Sequence, residues 1–158
     1  MAKELHIVGF RVGRETFGVP IALVHEIVRV PEITAVPDAP GCVEGVINLR
    51  GKIVSVIDLR KRFGAPQTQG SRKNRILVAE VDGKLVGLVV DAASEVLKIP
   101  AGEVEAPPSA LEEGDSNYVT GVGKLNGRLI LLIDLTKVLR GELRRLGEFT
   151  TQPVAVPA

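Results

Sequence analysis

The sequence predicts a mainly β protein assembled from two similar small units, and three observations predict it. Residues 45–64 (GVINLRGKIVSVIDLRKRFG) recur as residues 121–140 (GVGKLNGRLILLIDLTKVLR), with eight of twenty positions identical at an offset of 76. Common residue frequencies would give about one or two identities. The repeat also extends upstream, where EIVRVP at 26–31 aligns with EVLKIP at 95–100 at an offset of 69. Lastly, the apolar segments are short, β-branched and broken by Gly or Pro about every eight to twelve residues, the rhythm of small barrels or sandwiches.

Taken in order, each half reads strand, turn, strand, a Glu-apolar-apolar-basic-apolar-Pro segment, then a hairpin. In the first half, PIALVHEI at 20–27 reads as a helical turn leading into a strand, and pattern alone does not separate the two. Val46–Leu49 and Ile53–Leu59 then flank a tight Arg50-Gly51 turn, where Gly supplies the unusual backbone angle. Asp58 is placed to cap a short helical turn through Phe63, ended by Gly64 and Pro66.

In the second half, Ile76–Val81 and Lys84–Val90 bracket Asp82-Gly83. This is a strong hairpin signal, because both central positions of such a turn need positive φ. Asn126-Gly127 is another. Residues 101–120, rich in Pro, Gly and acids, read as a loop that absorbs the seven-residue change in offset. Asp134 is placed to cap a helix over 135–146, with Leu135, Val138, Leu139 and Leu143 at helical spacing and Gly141 weakening it. The organisation expected is one domain over residues 5–147, made of repeats at about 10–64 and 79–140, with 148–158 as a loose tail. A unit of ~60 residues buries only ~60% of its unfolded surface, so two units sharing a seam would be steadier than either alone. Such a seam would also form a groove, a natural binding site.

Composition narrows the function. A net charge of +1 predicts no pull toward polyanions. One cysteine, Cys42, excludes an internal disulfide framework, and no Cys/His spacing points to zinc. The N-terminus lacks the pattern of a secretion signal, and no apolar run approaches the ~20 residues of a spanning helix. The chain therefore reads as soluble and intracellular. Five aromatics and no tryptophan are few for base stacking.

No catalytic constellation is visible. His25 stands beside Glu26, but neighbours on a strand point to opposite faces. Cys42 reads as a small buried filler. Asp58 and Asp134 occupy equivalent repeat positions, so each reads as a helix cap in its own unit rather than half of a carboxylate pair. GKLVGLVV lacks the Gly-Lys-Ser/Thr ending of a phosphate loop. No metal or cofactor is expected.

The informative feature is how the copies differ. The first turn reads Asn48-Leu49-Arg50-Gly51 and the second Lys124-Leu125-Asn126-Gly127. Hairpin formation is satisfied by Asn-Gly, so it does not explain Arg50, whose guanidinium offers five fixed donors for carbonyls and carboxylates. Arg50 is either a recognition group, a solvated loop residue, or one pinned to Glu26 or Glu44. The cluster Arg60-Lys61-Arg62, with Arg72, Lys73 and Arg75 beyond, reads as a solvated helix face and charged loop, with nucleic-acid binding as the alternative.

GVINLRGKIVSVIDLRKRFG closely resembles the signature hairpin of the CheW family, the coupling proteins of bacterial chemotaxis. TFGVPIALVHEIVRVPEITAVPDAPGCVEGVINLRG and VGLVVDAASEVLKIP are similar to CheW segments in order and spacing, so the resemblance runs from about Leu5 to Leu143. It implies two pseudo-symmetric five-stranded SH3-like barrels packed together, with short helices and a C-terminal helix. It also implies a non-catalytic adaptor joining the cytoplasmic tips of chemoreceptors to the regulatory domain of the histidine kinase CheA. That adaptor would need no cofactor or nucleic acid. It would be cytoplasmic, reaching membrane-associated receptor arrays through its partners without inserting in the membrane.

Carried over by position, the family's receptor-binding groove falls on Val24 and Glu26, on Gly45, Asn48 and Arg50, and on Ala93 in the second copy. It would take a receptor helical hairpin in a helix-in-groove mode, with Arg50 fixing orientation or holding the groove wall in shape. Kinase contacts are implied at strand ends of the second barrel, with a matching contact on the first. At 158 residues the chain has room for neither a kinase core nor a receiver domain, which points to a stand-alone member. The competing readings are a small-barrel nucleic-acid-binding module, and an enzyme or ligand binder using the inter-barrel groove.

Overall fold

The first half of the chain forms strands β1 (Glu4–Val12), β2 (Glu15–Pro20), β3 (Val24–Arg29), β4 (Val43–Leu49) and β5 (Lys52–Asp58). The second forms β6 (Arg75–Val81), β7 (Lys84–Val90), β8 (Ala92–Pro100), β9 (Val104–Glu105), β10 (Val119–Leu125) and β11 (Arg128–Ile133). Two one-turn helices, α1 (Leu59–Arg62) and α2 (Leu135–Val138), follow β5 and β11. The structure is a computed structural model that describes residues 3–37, 41–64, 73–108 and 118–139, without the side chains of residues 94 and 95.

The strands build two SH3-like barrels, one from a sheet ordered β3-β6-β7-β5-β4 and one from a sheet ordered β8-β1-β2-β11-β10-β9. Each barrel thus mixes the halves. The β1–β2 hairpin of the first repeat completes the barrel of the second, and β6–β7 of the second completes the barrel of the first. The expectation that each repeat forms its own unit is corrected here: the two hairpins are exchanged. Ile21–Leu23, a 3-10 turn, carries the first repeat across the seam between β2 and β3, and Asp91 carries the second across between β7 and β8.

Exchange explains why β1 and β6 are apolar on both faces. Successive strand residues face opposite ways. Ile7 points into the six-stranded barrel with Leu97, Ile99 and Ile130. Ile76 and Val78 point into the five-stranded barrel with Ile47, Val54, Val56 and Val89. The alternate residues Val8, Phe10 and Val12, and Leu77, Ala79 and Val81, meet in a third cluster that draws on both sheets. Among the described residues that seam is the largest of three apolar clusters, so the barrels depend on one another for burial.

Closure comes from segments that follow the edge strands. Thr34 pairs with Val46 through two backbone hydrogen bonds of 2.9 Å, joining the chain after β3 to β4. In the other barrel β9 pairs with β10, with Glu105 opposite Val122. The stretch expected to be loop therefore contains the strand that closes the second barrel. The helix expected over 135–146 is present as α2 through Val138, and its remainder lies outside the described residues, as does the expected tail.

Local signals behave as their chemistry requires. Arg50-Gly51, Asp82-Gly83 and Asn126-Gly127 all carry paired positive φ values, 50° and 88°, 51° and 76°, and 51° and 77°. Asp58 and Asp134 both cap: Asp58 accepts from the N–H of Arg60, and Asp134 from those of Thr136 and Lys137. At Gly51 an added Cβ would meet nothing within 4 Å, so a substitution there tests backbone strain alone. Gly51→Val is expected to destabilise by about 1–2 kcal/mol through the disfavoured φ of 88°. Thermal denaturation followed by circular dichroism checks this, and an unchanged midpoint would show that the turn re-forms in another type.

Candidate functional site

The site begins with a bulge in β3. Val24 lies opposite Ala79, but the register slips before Glu26, which lies opposite Val78. The slip turns the strand over. Val24 packs against the seam core, whereas Val28, on the same side as Glu26, packs into the five-stranded barrel. Glu26 is left at the rim with its side chain 25% exposed, ion-paired to Arg50.

That pair spans the two edge strands of the five-stranded sheet, because β3 and β4 stand at opposite ends of its order. It acts as a clasp above the Thr34–Val46 closure. The turn that presents Arg50 is braced by Asn48, whose Oδ1 accepts the Gly51 N–H at 2.8 Å, a side-chain mimic of a backbone turn. Arg50 has φ 50°, a conformation in which Asn and Asp are the usual non-glycine residues, and its side chain remains 73% exposed. The guanidinium is tethered by one nitrogen and faces solvent with its other donors.

Gly45 contributes shape. It is buried, has φ 146°, and sits where a Cβ would lie 2.1 Å from the Thr34 carbonyl oxygen. The structure thus joins Glu26, Asn48 and Arg50 at one rim, with Gly45 further along β4 under the Thr34 strap. Val24 and Ala93 lie on strands of different barrels, and both pack against the seam core. Arg50 is pinned to Glu26 and not to Glu44, which pairs instead with Lys61, while the Arg50 side chain stays largely exposed.

The second copy is built differently. Lys124, at the position of Asn48, bonds Glu105 at 2.8 Å, and this hydrogen bond raises the lysine above its ordinary range. Glu105 occupies the place of Thr34, so that edge is joined by an exposed ion pair beside the strap. Sequence reasoning missed this partner because Glu105 lay in the stretch read as loop.

The basic cluster also has another fate. Arg60 makes a two-point contact with Asp58, Nε to Oδ1 at 3.0 Å and Nη2 to Oδ2 at 2.9 Å. Lys61 pairs with Glu44, and Arg62 Nε donates to the Val138 carbonyl at 2.8 Å. The expected solvated face is corrected in part: Arg60 and Arg62 are drawn into internal contacts, while Lys61 is ion-paired but exposed. Of the cations that motivated a nucleic-acid reading, Arg60 and Arg62 are engaged in holding the fold together. Arg75 Nη1 donates to the neighbouring Asn74 carbonyl at 2.9 Å, Lys73 is exposed, and Arg72 lies outside the described residues.

As chemistry, the rim offers a guanidinium, a carboxylate and an amide-braced turn. These are groups for recognition. His25 points outward and lies 3.1 Å from Glu80, while His6 stands beside Glu4 on the surface. Among the described residues no cluster of His, Cys, Asp and Glu could hold a metal ion, and no helix is long and apolar enough to cross a membrane.

Comparison with known proteins gives one answer. Residues 6–143 match the family described as CheW-like domain. The chain is 35% identical over 138 residues to the chemotaxis protein CheW of Rhizobium meliloti (strain 1021), covering 87% of this chain and 89% of that protein. It is 34% identical over 133 residues to the chemotaxis protein CheW of Klebsiella aerogenes, covering 84% and 80%. The crystal structure of the scaffolding protein TtCheW from Thermoanaerobacter tengcongensis superposes with a TM-score of 0.79 at 39% identity, covering 87% of this chain and 93% of that one.

Proposed function

This chain belongs to the CheW family of chemotaxis scaffolding proteins, and we propose that within it the chain couples chemoreceptor tips to the regulatory domain of the histidine kinase CheA without catalysing a reaction. The observation that carries the reading is Arg50, an exposed guanidinium held at a rim position where the sister hairpin has Asn. Holding a non-glycine, non-Asx residue at φ 50° costs about 1–2 kcal/mol, and an exposed ion pair returns about 0–1 kcal/mol. The fold gains little from Arg50. Its geometry instead suits an acceptor on a docked helical hairpin, with Val24 and Ala93 supplying apolar contact at the seam.

The kinase is assigned to the strand ends of both barrels. Ile53 at the start of β5 and Leu129 at the start of β11 are 70% and 59% exposed. They occupy equivalent repeat positions. Matching apolar ends on two pseudo-symmetric barrels suit a regulatory domain contacting either end. The protein would then reach the membrane-associated array only through its partners.

Alanine keeps the positive-φ strain and loses only an exposed ion pair, which makes Arg50→Ala a clean test. Its melting midpoint is expected within a few degrees of wild type, while binding to a purified receptor-tip fragment weakens about tenfold or more, as for loss of a charged hydrogen bond. Binding to the kinase regulatory domain is expected to be unchanged. A large fall in melting temperature with unchanged receptor affinity would reduce Arg50 to a support of the rim. Wild-type protein that bound neither partner would overturn the coupling reading itself.

A further inference from the structure

The seam is crossed by a set of contacts centred on α1 and its C-cap residue Phe63. Arg60, with its side chain 11% exposed, holds the 2% exposed Asp58 at the end of β5 and points Nη1 at Asp91, 3.6 Å from Oδ1. Asp91 is the residue at which the second repeat crosses between barrels. Its other oxygen accepts the Gly13 N–H at 2.7 Å, and its own N–H donates to the Arg11 carbonyl at 2.9 Å, both on the β1–β2 hairpin of the six-stranded barrel. The C-terminal end of α1 makes a second connection. Phe63 inserts between Phe17 and Tyr118 of the six-stranded barrel, with ring centroids 4.8 and 5.2 Å away, and Phe10 extends the column at 5.9 Å from Phe17. Arg62 lies 5.7 Å over the Tyr118 ring while donating to Val138 in α2.

These contacts are one-sided. At the equivalent positions α2 has Thr136 for Arg60, Val138 for Arg62 and Leu139 for Phe63. A pseudo-symmetric seam held by apolar burial alone permits neighbouring packings of similar energy, because hydrophobic contact is non-directional. Hydrogen bonds and stacked rings have preferred geometries and select among them.

We propose that α1, through Arg60, Arg62 and Phe63, is the pin that fixes the angle between the two barrels, and so sets the geometry in which two partners are held at once. The second half of this statement rests on the coupling function proposed above; the first half does not. These are positioning residues. They are assigned no partner contact in either binary complex, so their loss should separate assembly from binding.

The test uses the full chain in a Cys42→Ala background, spin-labelled at Lys84→Cys on β7 and Lys98→Cys on β8, one exposed site per barrel. Arg62→Gln is the primary variant, and Phe63→Leu, which keeps apolar volume, is the second; Arg60 is spared because its removal strands Asp58. The inter-label distance distribution is expected to be narrow in the parent and displaced or broadened in both variants, with cooperative melting retained. Each binary affinity, for the receptor-tip fragment and for the kinase regulatory domain, is expected to stay within error. The cooperativity of the ternary complex is expected to fall by about tenfold. An unchanged distance distribution in both variants overturns the pin. A changed distribution with unchanged ternary cooperativity overturns its role in assembly. If the parent binds neither partner, the coupling function fails, while the label distances still decide whether α1 sets the angle.

Discussion

Asp58→Ala is expected to destabilise the fold by about 3–5 kcal/mol, whereas Asp134→Ala, at the equivalent position of the second repeat, is expected to cost about 1 kcal/mol. Both aspartates cap one-turn helices, so the cap contribution is common to the two. What differs is the cation. Asp58 is 2% exposed and receives two hydrogen bonds from Arg60, whose pKa is raised chiefly by that hydrogen bond, against the lowering effect of burial. Removing the carboxylate leaves a guanidinium shielded from water with Asp91 at 3.6 Å as its remaining counter-ion. Asp134 caps two N–H groups, and among the described residues no buried cation pairs with it. For a chain of this size the gap corresponds to a difference in melting midpoint of roughly 10 °C. Equal midpoints for the two variants would show that Arg60 finds solvent when Asp58 is lost, and that the ion pair is incidental to the seam.

The same pair of residues shows what was legible in sequence. Capping was readable because it is local, a side chain meeting N–H groups two or three residues on. The I′-type turns at Asp82-Gly83 and Asn126-Gly127 were readable for the same reason, as was the departure of Arg50 from that chemistry. The exchange of hairpins was not. A repeat reads identically whether β1–β2 folds onto its own half or onto the other, and only apolar residues on both faces of β1 and β6 carried a trace of it. Nor could the run Arg60-Lys61-Arg62 be resolved. Charge patterning reports that cations are present, but their partners Asp91 and Val138 are brought near by the seam. At the candidate site, Glu26 and Arg50 come together because a bulge turns β3 over, and no local signal marks that bulge. Gly45 was named from family position, and its physical reason, the carbonyl of Thr34 against its Cα, appears only once the strap is seen.

Gly45→Ala is therefore expected to be the most damaging single-methyl change in the candidate site. The added Cβ would lie 2.1 Å from Thr34 O, 2.8 Å from Thr34 C and 3.0 Å from Ala35 Cα, all backbone atoms that cannot rotate away. Relief requires the strap to lift, losing the two Thr34–Val46 hydrogen bonds at about 1 kcal/mol each. The φ of 146° adds about 1–3 kcal/mol for a residue with a side chain. The sum is roughly 3–5 kcal/mol. Gly121→Ala in the second repeat meets Val104 Cγ1 at 3.1 Å, a side chain that can shift, and is expected to cost about 1 kcal/mol. Denaturant titration of both variants measures the difference directly. It also separates two meanings of a groove residue. Gly45 is buried beneath the strap, so its effect on the proposed receptor binding should pass through the closure of β3 against β4. At temperatures where Gly45→Ala remains folded, loss of receptor affinity should track a loosened Arg50–Glu26 clasp, seen as faster amide exchange at Val46 and Gly51. Weak binding with full protection at both amides would instead place the partner directly on the Gly45 backbone.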